Sequence, residues 1–126
     1  MKVLIIATLA VLLVIGGWIF FYSTIDDGFT ELNDTLNKVS KNIETQDWQV
    51  ASAELSKTNK KWKRLQDFLP LFLDHRDIHK VDLMMTRADV YLKERNTPLS
   101  LAEIEALKSM LAMLKGEEVP NLINIL

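Results

Sequence analysis

The stretch FTELNDTLNKVSKNI, residues 29–43, decides the fold class of this chain. Its apolar side chains recur at alternating steps of three and four residues, which is the spacing of a helix with one buried face. No window of the chain alternates between apolar and polar residues for long enough to predict a strand. The sequence therefore predicts an all-α fold, with a first apolar stripe of Phe29, Leu32, Leu36, Val39 and Ile43.

Three further apolar stripes with the same spacing follow, and each predicts a helix. Residues 45–47 separate the first stripe from the second, and residues 96–98 separate the third from the fourth. Pro70 is expected to end or kink the second helix, because the residue before a proline resists the α conformation. The stripes predict a four-helix bundle or two TPR-like helical hairpins. Their members are Trp48, Ala51, Leu55, Thr58, Trp62, Leu65 and Leu69, then Ile78, Val81, Met85, Ala88 and Leu92, then Leu101, Ile104, Leu107, Leu111 and Leu114.

A shift of 49 residues superimposes the first stripe on the third and most of the second on the fourth. The same shift carries the polar break at residues 45–47 onto residues 94–96. Two hairpins of equal length, as in a duplicated unit, would produce this pattern. However, 49 residues are seven heptads, so any two such stripes can be brought into phase, and the two halves share almost no residue identity.

Several polar and small residues predict where these helices begin and end. The run Asp26-Asp27-Gly28 predicts a break before the first stripe, and Asp47 can cap the second helix. Ser100 and Glu103 have the spacing of a capping box at the start of the last helix. Gly116 predicts a left-handed cap at its end. The apolar tail at residues 122–126 is expected to dock on the bundle, because an exposed tail of this kind would be adhesive.

The twenty residues from Val3 to Tyr22 are almost entirely apolar and predict a transmembrane helix. A helix of this length extends about 30 Å, which is the thickness of the hydrocarbon core of a bilayer. A cleaved signal peptide is the alternative, but its apolar core is shorter and ends in a small-x-small site, where this chain has the bulky Phe21. We therefore expect residues 1–23 to form an uncleaved anchor and residues 24–126 to form a separate helical domain.

The charges that flank this segment predict its orientation. Lys2 and the α-amine precede it, whereas Asp26, Asp27 and Glu31 follow it, with no basic residue before Lys38. Positive flanking residues remain in the cytoplasm. The N-terminus is therefore expected inside the cell, in a single-pass cell-membrane protein whose helical domain is extracytoplasmic.

Composition excludes several classes of function. The chain is 126 residues long, 48% hydrophobic and 25% charged, with a net charge of −2 and no cysteine. The near-neutral charge gives no general attraction to nucleic acid. The absence of cysteine excludes disulfides, thiolate metal sites and thiol nucleophiles. No phosphate-binding glycine loop, nucleophile elbow or acid–base carboxylate pair is present, so the sequence predicts no enzyme activity, cofactor or small-molecule substrate.

The segment DHRDIHK, residues 74–80, is the most suggestive polar stretch. His75 and His79 share a helical face, and Asp82 lies one turn further along, so the three side chains could form a zinc triad. Capping and surface ion pairs are the commoner role for such residues, and Arg76 and Lys80 oppose a bound cation. The sequence therefore assigns no metal site, although a ligand or metal sensor near His75 and His79 is the second functional hypothesis.

A basic cluster surrounds Trp62 in the second predicted helix. Most of its members share one helical face, which could contact lipid headgroups, a cell-wall polyanion or nucleic acid. A solvated outer face with Trp62 directed inward is the commoner arrangement, and the sequence predicts that both Trp48 and Trp62 belong to the core. The cluster consists of Lys57, Lys60, Lys61, Lys63 and Arg64.

The layout resembles a bacterial family of small single-span proteins that contain a domain of unknown function. The features that carry this resemblance are the Lys-led N-terminus, the central Trp62, the stretch LPLFLDH at residues 69–75 and the segment IEAL at residues 104–107. The resemblance implies a membrane-anchored, all-helical protein, and no functional residue carries over from it. We therefore expect a non-enzymatic interaction module that docks on another membrane or envelope protein, or on a second copy of itself, without binding nucleic acid.

Overall fold

The structure is a computed structural model that describes residues 1–71 and 73–118. It contains four α-helices: α1 (Lys2–Glu44), α2 (Trp48–Gln66), α3 (His75–Lys93) and α4 (Thr97–Glu118). A short 3-10 turn, Leu69–Leu71, lies between α2 and α3. Each helix packs against its neighbours along the chain, and α4 also packs against α1, which closes the bundle. The predicted all-α fold with a four-helix bundle is thus confirmed.

The core consists of the apolar stripes that the sequence predicts. Every member of the first and third stripes is buried, and so are those of the second and fourth except Trp48 and Leu101, which are partly buried at the edge of the core. The 49-residue repeat extends to burial, because five buried positions of α2 correspond to five buried positions of α4. These pairs are Ala51 with Ser100, Leu55 with Ile104, Thr58 with Leu107, Trp62 with Leu111, and Leu65 with Leu114.

The two hairpin turns repeat as well. Gln46 and Arg95, which are 49 residues apart, both have a left-handed backbone, with φ angles of 59° and 54°. In the first turn, the Gln46 amide donates to the Ile43 carbonyl, and the Asp47 amide to the Asn42 carbonyl. The residues 49 positions later make the same two bonds, from residue 95 to residue 92 and from residue 96 to residue 91. The bundle is therefore built from two hairpins with the same turn and the same register.

The break that the sequence predicts at Asp26-Asp27-Gly28 is wrong, because α1 continues through it from Lys2 to Glu44. Aspartate and glycine each weaken a helix by less than about 1 kcal/mol. Burial of Ile25 and Phe29, on either side of this run, outweighs that cost. The apolar N-terminal segment and the bundle core consequently share one helix, and the boundary proposed at residue 23 does not coincide with a break in the secondary structure.

Gly28 lies at a close contact between α1 and the Leu65 side chain of α2. A Cβ atom at this position would lie 2.8 Å from Cδ2 of Leu65. We expect Gly28→Val to lower the free energy of unfolding by about 1–3 kcal/mol, because Leu65 must leave its rotamer to admit the larger side chain. Gly116→Val is the matched control, since no atom of residues 1–71 or 73–118 lies within 4 Å of a Cβ there. Equal stability of the two variants in urea unfolding would contradict this packing.

The predicted helix ends are only partly correct. Asp47 precedes α2, but its side chain makes no capping bond. At the start of α4 the cap is Asn96, whose Oδ1 accepts from the amide of Leu99 at 3.1 Å. Ser100 lies inside the helix, and its buried hydroxyl has no hydrogen-bond partner among the described residues, so the predicted capping box is wrong. The cap predicted at Gly116 is also wrong, because α4 continues to Glu118 and no glycine in the described ranges has a positive φ. The apolar tail at residues 122–126 lies outside the described residues.

Candidate functional site

A surface groove of about 370 Å³ lies along the first turns of α3. The helix begins at His75 because the Asp74 carboxylate accepts a hydrogen bond from the Arg76 amide at 2.9 Å. His75 and His79 are both exposed and one turn apart, as the sequence predicts. The groove has an apolar floor and a rim of basic side chains, and its lining residues are His75, Arg76, His79, Lys80 and Leu83.

The proposed third member of the zinc triad lies elsewhere. Oδ1 of Asp82 accepts hydrogen bonds from Nε1 of Trp62 at 2.8 Å and from Nε2 of Gln66 at 2.5 Å. The partly buried Asp82 therefore joins α3 to α2 rather than completing a site with His75 and His79. Within residues 1–71 and 73–118 no group of three His, Cys, Asp or Glu side chains could hold a metal ion.

Ion pairs reduce the positive charge of the groove. Nζ of Lys80 lies 3.8 Å from a carboxylate oxygen of Asp77, and Nε of Arg76 lies 3.6 Å from one of Asp74. These pairs are solvent-exposed and contribute little to stability. The groove therefore combines the apolar side chain of Leu83 with basic side chains whose charge is partly neutralised by these ion pairs.

The carboxylate of Asp74 gives a pH-dependent contribution to stability. The hydrogen bond from the Arg76 amide holds the pKa of Asp74 below its usual value of 3.8, assisted by the charges of Arg76, His75 and Lys80. A depressed folded pKa stabilises the protein above the unfolded pKa, and this contribution is lost as the pH falls through the folded value. We expect Asp74→Ala to destabilise the protein at pH 5 and to have progressively less effect below pH 3.8. Urea unfolding of the wild type and of Asp74→Ala across this pH range measures the difference between their free energies of unfolding. A difference that does not change with pH would contradict the depressed pKa of Asp74.

The basic cluster on α2 divides into paired and unpaired cations. Lys57 pairs with Glu54 at 3.4 Å, and Lys61 lies 3.7 Å from Glu31 on α1. The remaining members are exposed and make no ion pair within the described residues; they are Lys60, Lys63 and Arg64. The predicted inward orientation of Trp62 is confirmed, because this side chain is fully buried, whereas Trp48 is half-buried at the edge of the core.

The apolar N-terminal part of α1 projects beyond the bundle. Its most apolar 18-residue window has a mean hydropathy of 2.8, and none of that window is buried. By length and composition this helix could cross a membrane, although a signal sequence would pass the same test. Phe21, at the end of the apolar run, packs against the core and meets Phe68 edge to face, with ring centroids 5.7 Å apart.

The outer face of α3 carries two exposed aliphatic residues. Leu83 is 55% exposed and Val90 is 48% exposed. They are seven residues apart, so they lie on one face of the helix, and His79 lies one turn before Leu83 on the same face. This face, which we call the α3 outer face (His79, Leu83 and Val90), is not covered by another helix of the bundle.

The Trp62–Asp82 hydrogen bond is the feature that sequence analysis missed. The two residues are twenty apart and share no local motif. A signal was nevertheless present, because a helical hairpin centred near residue 72 places residues 62 and 82 opposite each other. An aspartate facing an indole N–H across that hairpin would have been a better prediction than an aspartate directed at two histidines.

Comparison with known proteins gives a family but no activity. A family model described as a domain of unknown function (DUF4363) matches residues 19–125. No curated protein shows a significant match, and neither does any solved structure. The match spans the whole bundle and the last residues of the apolar segment.

Proposed function

The chain belongs to the DUF4363 family of domains of unknown function, and we propose that it is a non-enzymatic helical module, anchored in a membrane, that docks on another membrane or envelope protein. The observation that carries this proposal is the unbroken α1. Residues 3–20 of this helix expose only apolar or small side chains, and its second half supplies eight buried residues to the bundle. A single rigid helix therefore presents the bundle at a fixed position relative to the anchor.

The anchor is proposed from the length and exposure of the apolar segment. All side chains from Val3 to Phe20 are exposed, and their number suits a helix that crosses about 30 Å of hydrocarbon. A core helix of a soluble protein would be mostly buried, and this segment is not. Trp18 and Tyr22 stand near the end of the segment, where amphipathic rings favour the boundary between headgroups and acyl chains.

The proposed orientation places the bundle outside the cytoplasm. Lys2 and the α-amine precede the anchor, and Asp26 and Asp27 follow it. Protease treatment of intact, wall-stripped cells that carry a C-terminal tag tests this orientation. Rapid loss of the tag, with a cytosolic marker intact, is the expected result. A tag that is digested only after lysis would place the bundle in the cytosol.

The α3 outer face is the proposed docking surface, and its partner is an apolar helix face on a protein held in the same membrane. Leu83 and Val90 would be covered on docking, and His79 extends the surface toward the membrane end. Anchoring of both proteins in one membrane raises their effective concentration, so a small apolar contact suffices.

Photo-crosslinking from single positions in the full chain tests this surface. We expect a photoreactive amino acid at position 83 or 90 to give one discrete adduct in host membranes. Val50, which is 43% exposed on α2, is the matched control position and is expected to give none. An adduct of twice the chain's mass would identify a second copy as the partner. Absence of adducts at both positions, or identical adducts at position 50, would contradict the proposal.

The second candidate function is binding of a small amphipathic anion, and the groove beside His75 and His79 supports it. Its metal-binding form is not proposed, because Asp82 bonds to Trp62 and Gln66 instead. Octanoate is a suitable probe, since it combines a carboxylate with an apolar chain. Binding should shift the imidazole proton resonances of both histidines, and His75→Ala/His79→Ala should abolish binding. Unchanged resonances at millimolar octanoate would exclude this function.

A further inference from the structure

The contact between Phe21 and Phe68 fixes the position of Phe68, which follows the end of α2, along the direction of α1. Phe21 is the penultimate residue of the apolar run that ends at Tyr22. Because α1 is continuous, the place of a residue in this helix determines its distance from the anchor. With ring centroids 5.7 Å apart, Phe68 lies at nearly the same level as Phe21, although it is 47 residues later in the chain.

The level of Phe21 and Phe68 along α1 corresponds to the surface of the membrane that α1 is proposed to cross. If residues 3–22 fill the hydrocarbon core, Phe21 lies at its edge. The headgroup layer extends about 5–7 Å further on each side. Phe68 therefore falls within the headgroup layer or at its boundary with the acyl chains. Its ring is 47% exposed, which leaves a large apolar surface available to lipid.

The unpaired cations of α2 lie slightly further from the anchor than Phe68 does. Arg64 and Lys63 precede it by one turn or slightly more, which is about 6–8 Å along the helix. Both are exposed and make no ion pair among the described residues, whereas Asp26 is paired with Lys115 and Asp74 with Arg76. The exposed Lys60, Lys63 and Arg64 of α2, together with Asp67 just after it, have a net charge of +2 from three cations and one anion. The long cationic side chains can reach lipid phosphates.

We propose that the end of α2 and the adjoining Phe68 form a second membrane contact, in which Phe68 inserts into the interfacial layer of the bilayer that α1 crosses and Lys63 and Arg64 bind lipid phosphates beside it. This inference rests on the proposed anchor. An exposed phenylalanine against the end of a span and two unpaired cations one turn away together form an apolar wedge beside a basic patch. That combination suits the boundary between acyl chains and anionic headgroups.

The absence of cysteine permits a direct test in the full chain. Single substitutions Leu12→Cys, Phe68→Cys and Leu99→Cys are labelled with a nitroxide and reconstituted into vesicles of phosphatidylcholine with 30% phosphatidylglycerol. Positions 68 and 99 are equally exposed, at 47% and 46%, but position 99 lies at the far end of the bundle. Electron paramagnetic resonance then compares collisions with oxygen, which partitions into lipid, and with a water-soluble nickel complex.

We expect the oxygen-to-nickel collision ratio to be highest at position 12, several-fold lower at position 68 and lowest at position 99. A ratio at position 68 equal to that at position 99, with position 12 in lipid, would overturn this inference and leave the anchor intact. Equal ratios at all three positions would instead overturn the anchor and the proposed function with it.

The role of the cations is tested in the same vesicles. Lys63→Gln/Arg64→Gln is expected to lower the collision ratio of the label at position 68, because the end of α2 loses its attraction to the headgroups. Lys93→Gln/Arg95→Gln removes two cations at the far end of the bundle and should leave the ratio unchanged. No difference between the two double variants would overturn the assignment of Lys63 and Arg64.

Discussion

Replacing Trp62 by alanine is expected to lower the free energy of unfolding by about 3–5 kcal/mol. The indole is fully buried at the centre of the bundle and is among its largest core side chains. Its removal leaves a cavity that the surrounding helices fill only in part, and it deprives Asp82 of the Nε1 donor at 2.8 Å. Urea unfolding followed by circular dichroism, in the same detergent for all variants, measures the effect.

Two further variants separate the contribution of the buried Trp62 ring to stability from that of its hydrogen bond to Asp82. Val50→Ala, at an exposed position of the same helix, is expected to change stability by less than about 0.5 kcal/mol. Asp82→Ala should cost about 1–3 kcal/mol, because it leaves the buried indole N–H without its acceptor. If Trp62→Ala were no more destabilising than Val50→Ala, the central packing of the bundle would be refuted.

The second large effect is expected from Asp27→Pro. Proline inside a helix removes one backbone hydrogen bond and clashes with the carbonyl of the fourth preceding residue, at a cost of about 3 kcal/mol or more. Position 27 lies between the buried Ile25 and Phe29, in the segment where α1 passes from the apolar anchor into the bundle. We expect Asp27→Pro to destabilise the bundle by about this amount and to introduce a hinge between the two halves of α1.

Asp27→Ala is the matched control. Alanine favours the helix more than aspartate does, by a few tenths of a kcal/mol, and the Asp27 side chain is exposed. This variant should therefore be as stable as the wild type or slightly more stable. Equal stability of the proline and alanine variants would show that the helix ends before Gly28, as the sequence pattern first indicates.

The fold follows from the sequence where apolar periodicity is strong. Stripes such as Phe29 to Ile43 specify which face of each helix is buried, and the repeated stripe places the second hairpin in the same register. Local signals failed where a distant contact decided the outcome. Gly28 resembles a helix breaker in isolation, but it serves to admit Leu65 of α2, which no short-range pattern of α1 reveals.

The candidate site was less predictable. Two histidines four residues apart are recognisable in any helix, so the exposed pair on α3 follows from spacing alone. The partner of Asp82 does not follow, because it depends on which residue of α2 lies opposite after the hairpin closes. Phe68 likewise gains its significance only from its contact with Phe21, 47 residues away in the chain.

The distance between two spin labels across the junction tests the continuity of α1 most directly. Leu13→Cys and Asp34→Cys are both exposed, and 21 residues of unbroken helix separate their Cα atoms by about 32 Å. In lipid bilayers, double electron–electron resonance should give one narrow distribution near that distance, extended only by the label linkers. The same labels in the Asp27→Pro background should give a broader distance distribution. A broad or markedly shorter distribution in the otherwise wild-type chain would contradict the single helix that joins anchor and bundle.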